Sequence, residues 1–213
     1  MSEAESLATV EGLDEHVRRH SYDRLIMLSD GIFAIATTLA ALDVRLPAHT
    51  GGLGTMLLAG RRSIAAYVLS FAVAGVFWIS NRNLFARLRR VDTPLTVLTL
   101  AMLCLIALIP ATIRTVYVEG GGDPDLRLYG LTMFLCGTFN TAMWAYAALR
   151  PGLMVAAVGR RERWARIAAN AALPILFFPV LVLPSATVTT AVVPVAVAVV
   201  VARRLLLPRW IGR

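Results

Sequence analysis

The stretch "RLIMLSDGIFAIATTLAALDV" (residues 24–44) decides the class of fold. It is long and apolar enough to cross a bilayer, whose core asks for about 20 mostly apolar residues per helix. Yet it carries a carboxylate, Asp30, beside Ser29 and ahead of Thr37 and Thr38. Ionisable groups inside spanning segments are costly, and they face the interior of a helix bundle or a water-filled path. Asp30 therefore needs partners that neighbouring helices must bring.

The whole chain agrees with that reading. Its 213 residues are 58% hydrophobic and 16% charged, with a mean hydropathy of +0.70. Soluble domains carry about 25% charged residues. Six apolar runs follow one another, at about residues 24–44, 63–83, 94–115, 127–148, 166–184 and 186–206. They do not alternate apolar with polar residues as barrel strands do. The expectation is an all-α integral membrane protein with six transmembrane helices per chain. One membrane domain at 23–207 follows an N-terminal tail (1–22) and precedes a short C-terminal tail (208–213). The first 22 residues are polar and acidic without an apolar core, so no signal peptide is expected. Cys104 and Cys136 fall inside apolar runs and read as free, buried thiols.

All 21 basic residues are arginine. With the N-terminus placed in the cytoplasm, 16 of them fall on the inner side and 5 on the outer. Cytoplasmic loops carry the excess of positive charge, so both termini are expected inside, in a multi-pass protein of the cell membrane. The arginines follow the loops and form no single basic tract, which argues against nucleic acid as a partner.

On a helical wheel with Ile35 as reference, Thr38 falls at about −60°, Leu42 at about −20° and Leu39 at about +40°. Leu28 and Gly31 continue this stripe, and Arg24 stands at its foot. Asp30 and Thr37 fall on the opposite side, at about −140° and −160°, with Ser29 to one flank at about +120°. The stripe faces either lipid or a central pore made by copies of this helix around an axis. For Asp30 the expected partners are Trp78, Asn81 and Arg82 at the cytoplasmic end of the second run, with Tyr67 and Ser70 farther along it. An Asp–Ser network of this kind pins helices together. Asp43 at the outer end is expected either to attract cations or to pair with nearby Arg45.

No nucleophile–base pair, paired carboxylate or phosphate loop is present, so no enzyme is expected. His16 and His20 share a helix face but lack a clear third ligand, and no metal or cofactor is expected. Proline-bearing helices, with Pro174, Pro179 and Pro194, leave a secondary transporter as one rival, since such helices break to expose binding groups. A passive helical scaffold is the other.

"RLIMLSD" (residues 24–30) resembles the Arg-x-x-x-Phe-Ser-Asp motif that opens the first helix of the transmembrane protein 175 family of potassium channels. The similarity continues through "GIFAIATTLAALDV" and "YVLSFAVAGVFWISNRNLF", and more loosely through Leu100, Pro110, Trp144 and Tyr146. The chain departs from the motif at Leu28, where the family has phenylalanine. It departs again at "SNRN" after Trp78, where prokaryotic members carry histidines. Asn81 does not titrate near neutral pH as a histidine does. The resemblance implies a homotetramer in the bilayer, each subunit lending its first helix to a central pore, with Ile35, Thr38 and Leu42 as the constriction and selectivity positions. It also implies that Arg24, Leu28, Ser29, Asp30, Trp78 and Asn81 form the motif and helix-pinning network. Potassium would be the permeant ion, with modest preference over sodium.

Overall fold

The computed structural model describes residues 3–46, 52–155 and 158–183, with side chains from residue 19 onward. Over these residues the chain forms six helices: α1 (Glu3–Leu42), α2 (Leu53–Ala59), α3 (Arg61–Phe85), α4 (Thr93–Tyr117), α5 (Asp123–Leu149) and α6 (Arg160–Val182). The Arg19–Leu42 part of α1, together with α3, α4 and α6, is long and apolar enough to span a membrane. The expected all-α membrane class is the class found, and the ends of α3 and α4 lie within two residues of the runs read from sequence.

Three features differ from the expectation. The polar N-terminal tail is itself helical, continuing α1 back to Glu3. A short helix, α2, occupies the connection before α3. The third concerns α5, which forms where the fourth span was expected but is not among the helices apolar enough to cross by composition. It carries Thr132, Thr138, Asn140 and Thr141, and it is packed between α4 and α6. Asn140 finds its partners on α3 and α6, whereas the three threonines donate to carbonyls one turn earlier in α5 itself, so none of these groups is left unpaired. The expected sixth span at 186–206 and the C-terminal tail lie outside the described residues.

The core runs along α4. Leu95, Thr99, Met102, Ile106, Ile109 and Ile113 recur every three or four residues and are all buried, against α1 and α3 on one side and α5 on the other. The start of α4 is fixed locally: Asp92 accepts a hydrogen bond from the Leu95 N–H (3.1 Å). Such N-cap contacts satisfy a donor that the first turn would leave open. Two glycines allow α6 to close on α5. A Cβ at Gly130 would meet Val180 Cγ1 at 2.5 Å, and one at Gly137 would meet Pro174 Cδ at 2.8 Å. Pro110 in α4, and Pro174 and Pro179 in α6, lie inside continuous helices. The broken spans that motivated the transporter reading are therefore absent from the described part of the bundle.

A buried polar cluster joins α3, α5 and α6. Ser80 Oγ lies 3.1 Å from Asn140 Oδ1 and 3.2 Å from Asn170 Oδ1. Asn140 Nδ2 donates to Asn170 Oδ1 (2.9 Å), and Trp144 Nε1 donates to Ser80 Oγ (3.3 Å). At the nearby end of the bundle the α3–α4 and α5–α6 loops are stapled together. Leu88 and Met154 form an antiparallel bridge, flanked by Arg89 N–H to Leu153 O (2.8 Å) and Val155 N–H to Arg87 O (2.9 Å).

Candidate functional site

Through its membrane segment α1 is one-sided. Leu25, Ser29, Phe33, Ala36 and Ala40 are buried, and the helix packs on α3 and α4. Phe33 and Ala36 join the hydrophobic core through this side. The other side, with Leu28, Gly31, Ile35, Thr38 and Leu42, is exposed in the single chain. Ile35 is 57% exposed and Leu42 79%. The stripe drawn from periodicity is thus an actual open face of the helix. The wheel is corrected on the opposite side, where the buried face centres on Ser29, Phe33 and Ala36. Asp30 and Thr37 sit at its border.

Thr38 Oγ1 hydrogen-bonds within its own helix, donating to Ala34 O (2.9 Å). A hydroxyl has one proton and two acceptor lone pairs, so a proton held by the backbone leaves oxygen density facing outward. Beside this stripe, Ile32, Ile35 and Leu39 of α1 and Leu100, Leu103 and Cys104 of α4 line an apolar groove of about 440 Å³. Cys104 is exposed, against the expectation of burial, and Cys136 is buried; both are free thiols.

Two anchors hold α1, one toward each end of the membrane segment. At the first, Trp78 Nε1 donates to Asp30 Oδ1 at 2.8 Å. The Arg82 guanidinium lies over the same Trp78 ring, 5.1 Å from its centroid. A cation over the ring face and a carboxylate at its N–H edge both suit the ring's charge distribution. The indole thus links Asp30 to a compensating charge. A cavity of about 220 Å³ opens here, lined by Tyr22, Ser29, Asp30, Trp78, Asn81 and Arg82 among others. Tyr22 Oη closes one side by donating to Phe85 O (2.8 Å). Asn81 is only 4% exposed, and its Oδ1 accepts no hydrogen bond among the described residues.

The structure gathers Ser29, Asp30, Trp78 and Asn81 around one cavity but does not bond them all together. Ser29 Oγ donates to Leu25 O of its own helix (2.8 Å). Arg24 and Leu28 stand on the exposed side of α1, away from this cavity.

The second anchor lies at the other end of α1. Asp43 does not pair with Arg45. Its carboxylate is bound by Arg114 of α4, which also contacts Glu119 at 3.1 Å. Ser63 of α3 donates to Asp43 O (3.1 Å) and accepts from the Arg45 N–H (2.8 Å). Leu42 is thus tied to both α3 and α4 through the residue that follows it. Sequence reasoning named Asp43 but missed Arg114, because nothing local marks a partner 71 residues away.

Residues 24–110 match the family described as the endosomal/lysosomal potassium channel TMEM175. A potassium channel of Streptomyces collinus is 43% identical over 89 residues, covering 41% of this chain and 43% of the relative. One from Chamaesiphon minutus is 29% identical over 147 residues, covering 65% of this chain and 72% of the relative. The chain thus spans less than half the length of the Streptomyces relative and about three-quarters of the Chamaesiphon one. The crystal structure of a lysosomal potassium-selective channel TMEM175 homolog from Chamaesiphon minutus aligns with a TM-score of 0.68 at 24% identity, over 89% of this chain and 98% of that one. This last likeness shows a shared fold.

Proposed function

We propose that this chain, related to the TMEM175 family through residues 24–110, is a potassium-permeable cation channel whose pore is lined by α1 of each of four identical subunits. The observation that carries the reading is the open stripe of Leu28, Ile35, Thr38 and Leu42 on the helix with which the family match begins. A helix anchored on one side through Asp30 and Asp43 holds its opposite side clear for an axis of symmetry.

Four copies of Ile35 and Leu42 make rings of hydrocarbon, where a narrow pore dewets and blocks ions. Conduction then requires α1 to tilt or rotate enough to admit a partly hydrated cation. Between the apolar rings, four Thr38 hydroxyls turn lone pairs inward and replace part of the water lost by the ion. A cation is favoured over an anion by that polarity. Preference for potassium over sodium stays modest, because the chain carries no TVGYG-type loop of backbone carbonyls. The arginine asymmetry supports a topology with both termini cytoplasmic, in the cell membrane.

Bilayer recordings of the purified protein in potassium, sodium, chloride and proton gradients test this. A reversal potential following potassium, with sodium less permeant, is expected; one that follows chloride, or the absence of any current, rejects it. Leu42→Ala enlarges the current and Thr38→Ala shifts ion preference. If both variants conduct as the parent does, the stripe does not form the limiting constriction. Flux at transporter rates with saturation would instead favour a carrier.

A further inference from the structure

The stapled loops form a surface that the pore reading does not use. Residues 82–92 and 150–166 contain nine arginines and two carboxylates, Asp92 and Glu162. Both carboxylates are engaged. Glu162 is shared by Arg87 (3.2 Å) and Arg166 (2.9 Å). Asp92 caps α4, accepts from Tyr146 Oη (2.6 Å) and lies 3.6 Å from Arg150. Arg163 is turned onto the carbonyls of Val158 and Ala148. Arg89, Arg90 and Arg160 remain exposed, with no carboxylate partner among the described residues.

Their placement is set by the backbone. Leu88 is buried, as are Leu153 and Met154 of the other loop, while Arg89 and Arg90 beside the bridge are exposed. The Arg90 guanidinium lies against the α5–α6 turn, with Nη2 3.7 Å from where a Cβ at Gly152 would stand; φ of +81° favours glycine there. The two loops thus present the arginines as one plate.

The plate sits within a few residues of the ends of four helices: Phe85 closes α3, Thr93 opens α4, Leu149 closes α5 and Arg160 opens α6. Leu149 and Trp164 beside it are exposed, Trp164 to 53%. Tryptophan at the ends of spanning helices settles at the headgroup level. Guanidinium groups at that level would meet lipid phosphates. Arginine's planar fork engages two phosphate oxygens at once, which an ammonium does not.

We propose that the loop plate bearing Arg89, Arg90 and Arg160 is a docking face for the phosphate headgroups of anionic phospholipids in the adjoining leaflet. A soluble nucleic acid is disfavoured because exposed Trp164 and Leu149 flank the face. Free phosphate shares the same chemistry but gains nothing from those apolar neighbours.

The test counts lipids bound to the full chain in detergent by native mass spectrometry, with phosphatidylglycerol against phosphatidylcholine. Phosphatidylglycerol is expected to bind about tenfold or more tightly, and each Arg→Gln change among the three to weaken it about two- to fivefold. Arg89→Lys retains only part of the preference. Arg61→Gln with Arg62→Gln, at the opposite end, leaves it unchanged. The bridge uses the Arg89 backbone, so helical content and elution volume of the variants match the parent. Equal binding of the two lipids overturns the proposal, as does a triple Arg→Gln variant with the parent's preference. Displacement of phosphatidylglycerol by equimolar inorganic phosphate or by an oligonucleotide overturns it too, assigning the face to a soluble anion.

Discussion

Asp30 shows how one side chain is accommodated at the edge of a membrane bundle. It lies at the border of the buried face of α1, where the Trp78 indole reaches it and Arg82 supplies opposite charge across the ring. Interhelical hydrogen bonds in membranes are worth about 0.6–2 kcal/mol, so Trp78→Phe is expected to cost about 1 kcal/mol, read as a lower thermal midpoint of the purified protein. Asn81 behaves in the opposite sense. Its Oδ1 is buried with no partner among the described residues, and a buried unsatisfied acceptor costs about 1–3 kcal/mol. Asn81→Leu, of similar size, is therefore expected to leave the midpoint unchanged or raise it. A clear fall would mean that the carbonyl finds a donor in the assembled protein. At this scale the sequence named Asp30, Trp78 and Asn81 as neighbours, because charge and amide groups within apolar runs must seek one another. It did not foresee that Ser29 turns back onto its own helix, since a hydroxyl can always reach the carbonyl one turn earlier.

Among the elements, the α5–α6 contact depends most on the absence of side-chain volume. Gly137→Val would set a Cβ 2.8 Å from Pro174 Cδ and 3.0 Å from its nitrogen, where the ring has no freedom to move aside. Overpacking of this kind costs about 1–3 kcal/mol, so a lower midpoint is expected, with α6 protected less against hydrogen exchange. An unchanged midpoint and exchange pattern would place α6 farther from α5 than described. Hydropathy ranked α5 with the other spans, although it carries buried Asn140 and packs between α4 and α6. Composition reports how apolar a helix is, and only its neighbours decide how apolar it needs to be.

For the whole molecule, the question is what meets the open stripe of α1. Cysteine accessibility answers it in a Cys104→Ser background, where buried Cys136 stays silent. Ile35→Cys and Leu42→Cys are expected to react with a charged, water-soluble thiol reagent and to reduce current as they do. Leu108→Cys, on the exposed side of α4, is expected to stay unreactive. If Leu42→Cys is as silent as Leu108→Cys, lipid covers the stripe and another segment surrounds the axis. Mass measurement of the detergent-purified assembly is expected to give four chains.

The sequence by itself determined the membrane class, the ends of α3 and α4 to within two residues, the strongly basic end and the stripe of Ile35, Thr38 and Leu42. These follow from hydropathy and from the turn of a helix, both of which are local. Only the tertiary structure decided that Asp43 belongs to Arg114, that Asn140 and Asn170 share a buried cluster with Ser80, and that two basic loops join into one plate. Those pairings link residues dozens of positions apart, and their energies exist only once helix packing has brought the groups within about 3 Å of each other.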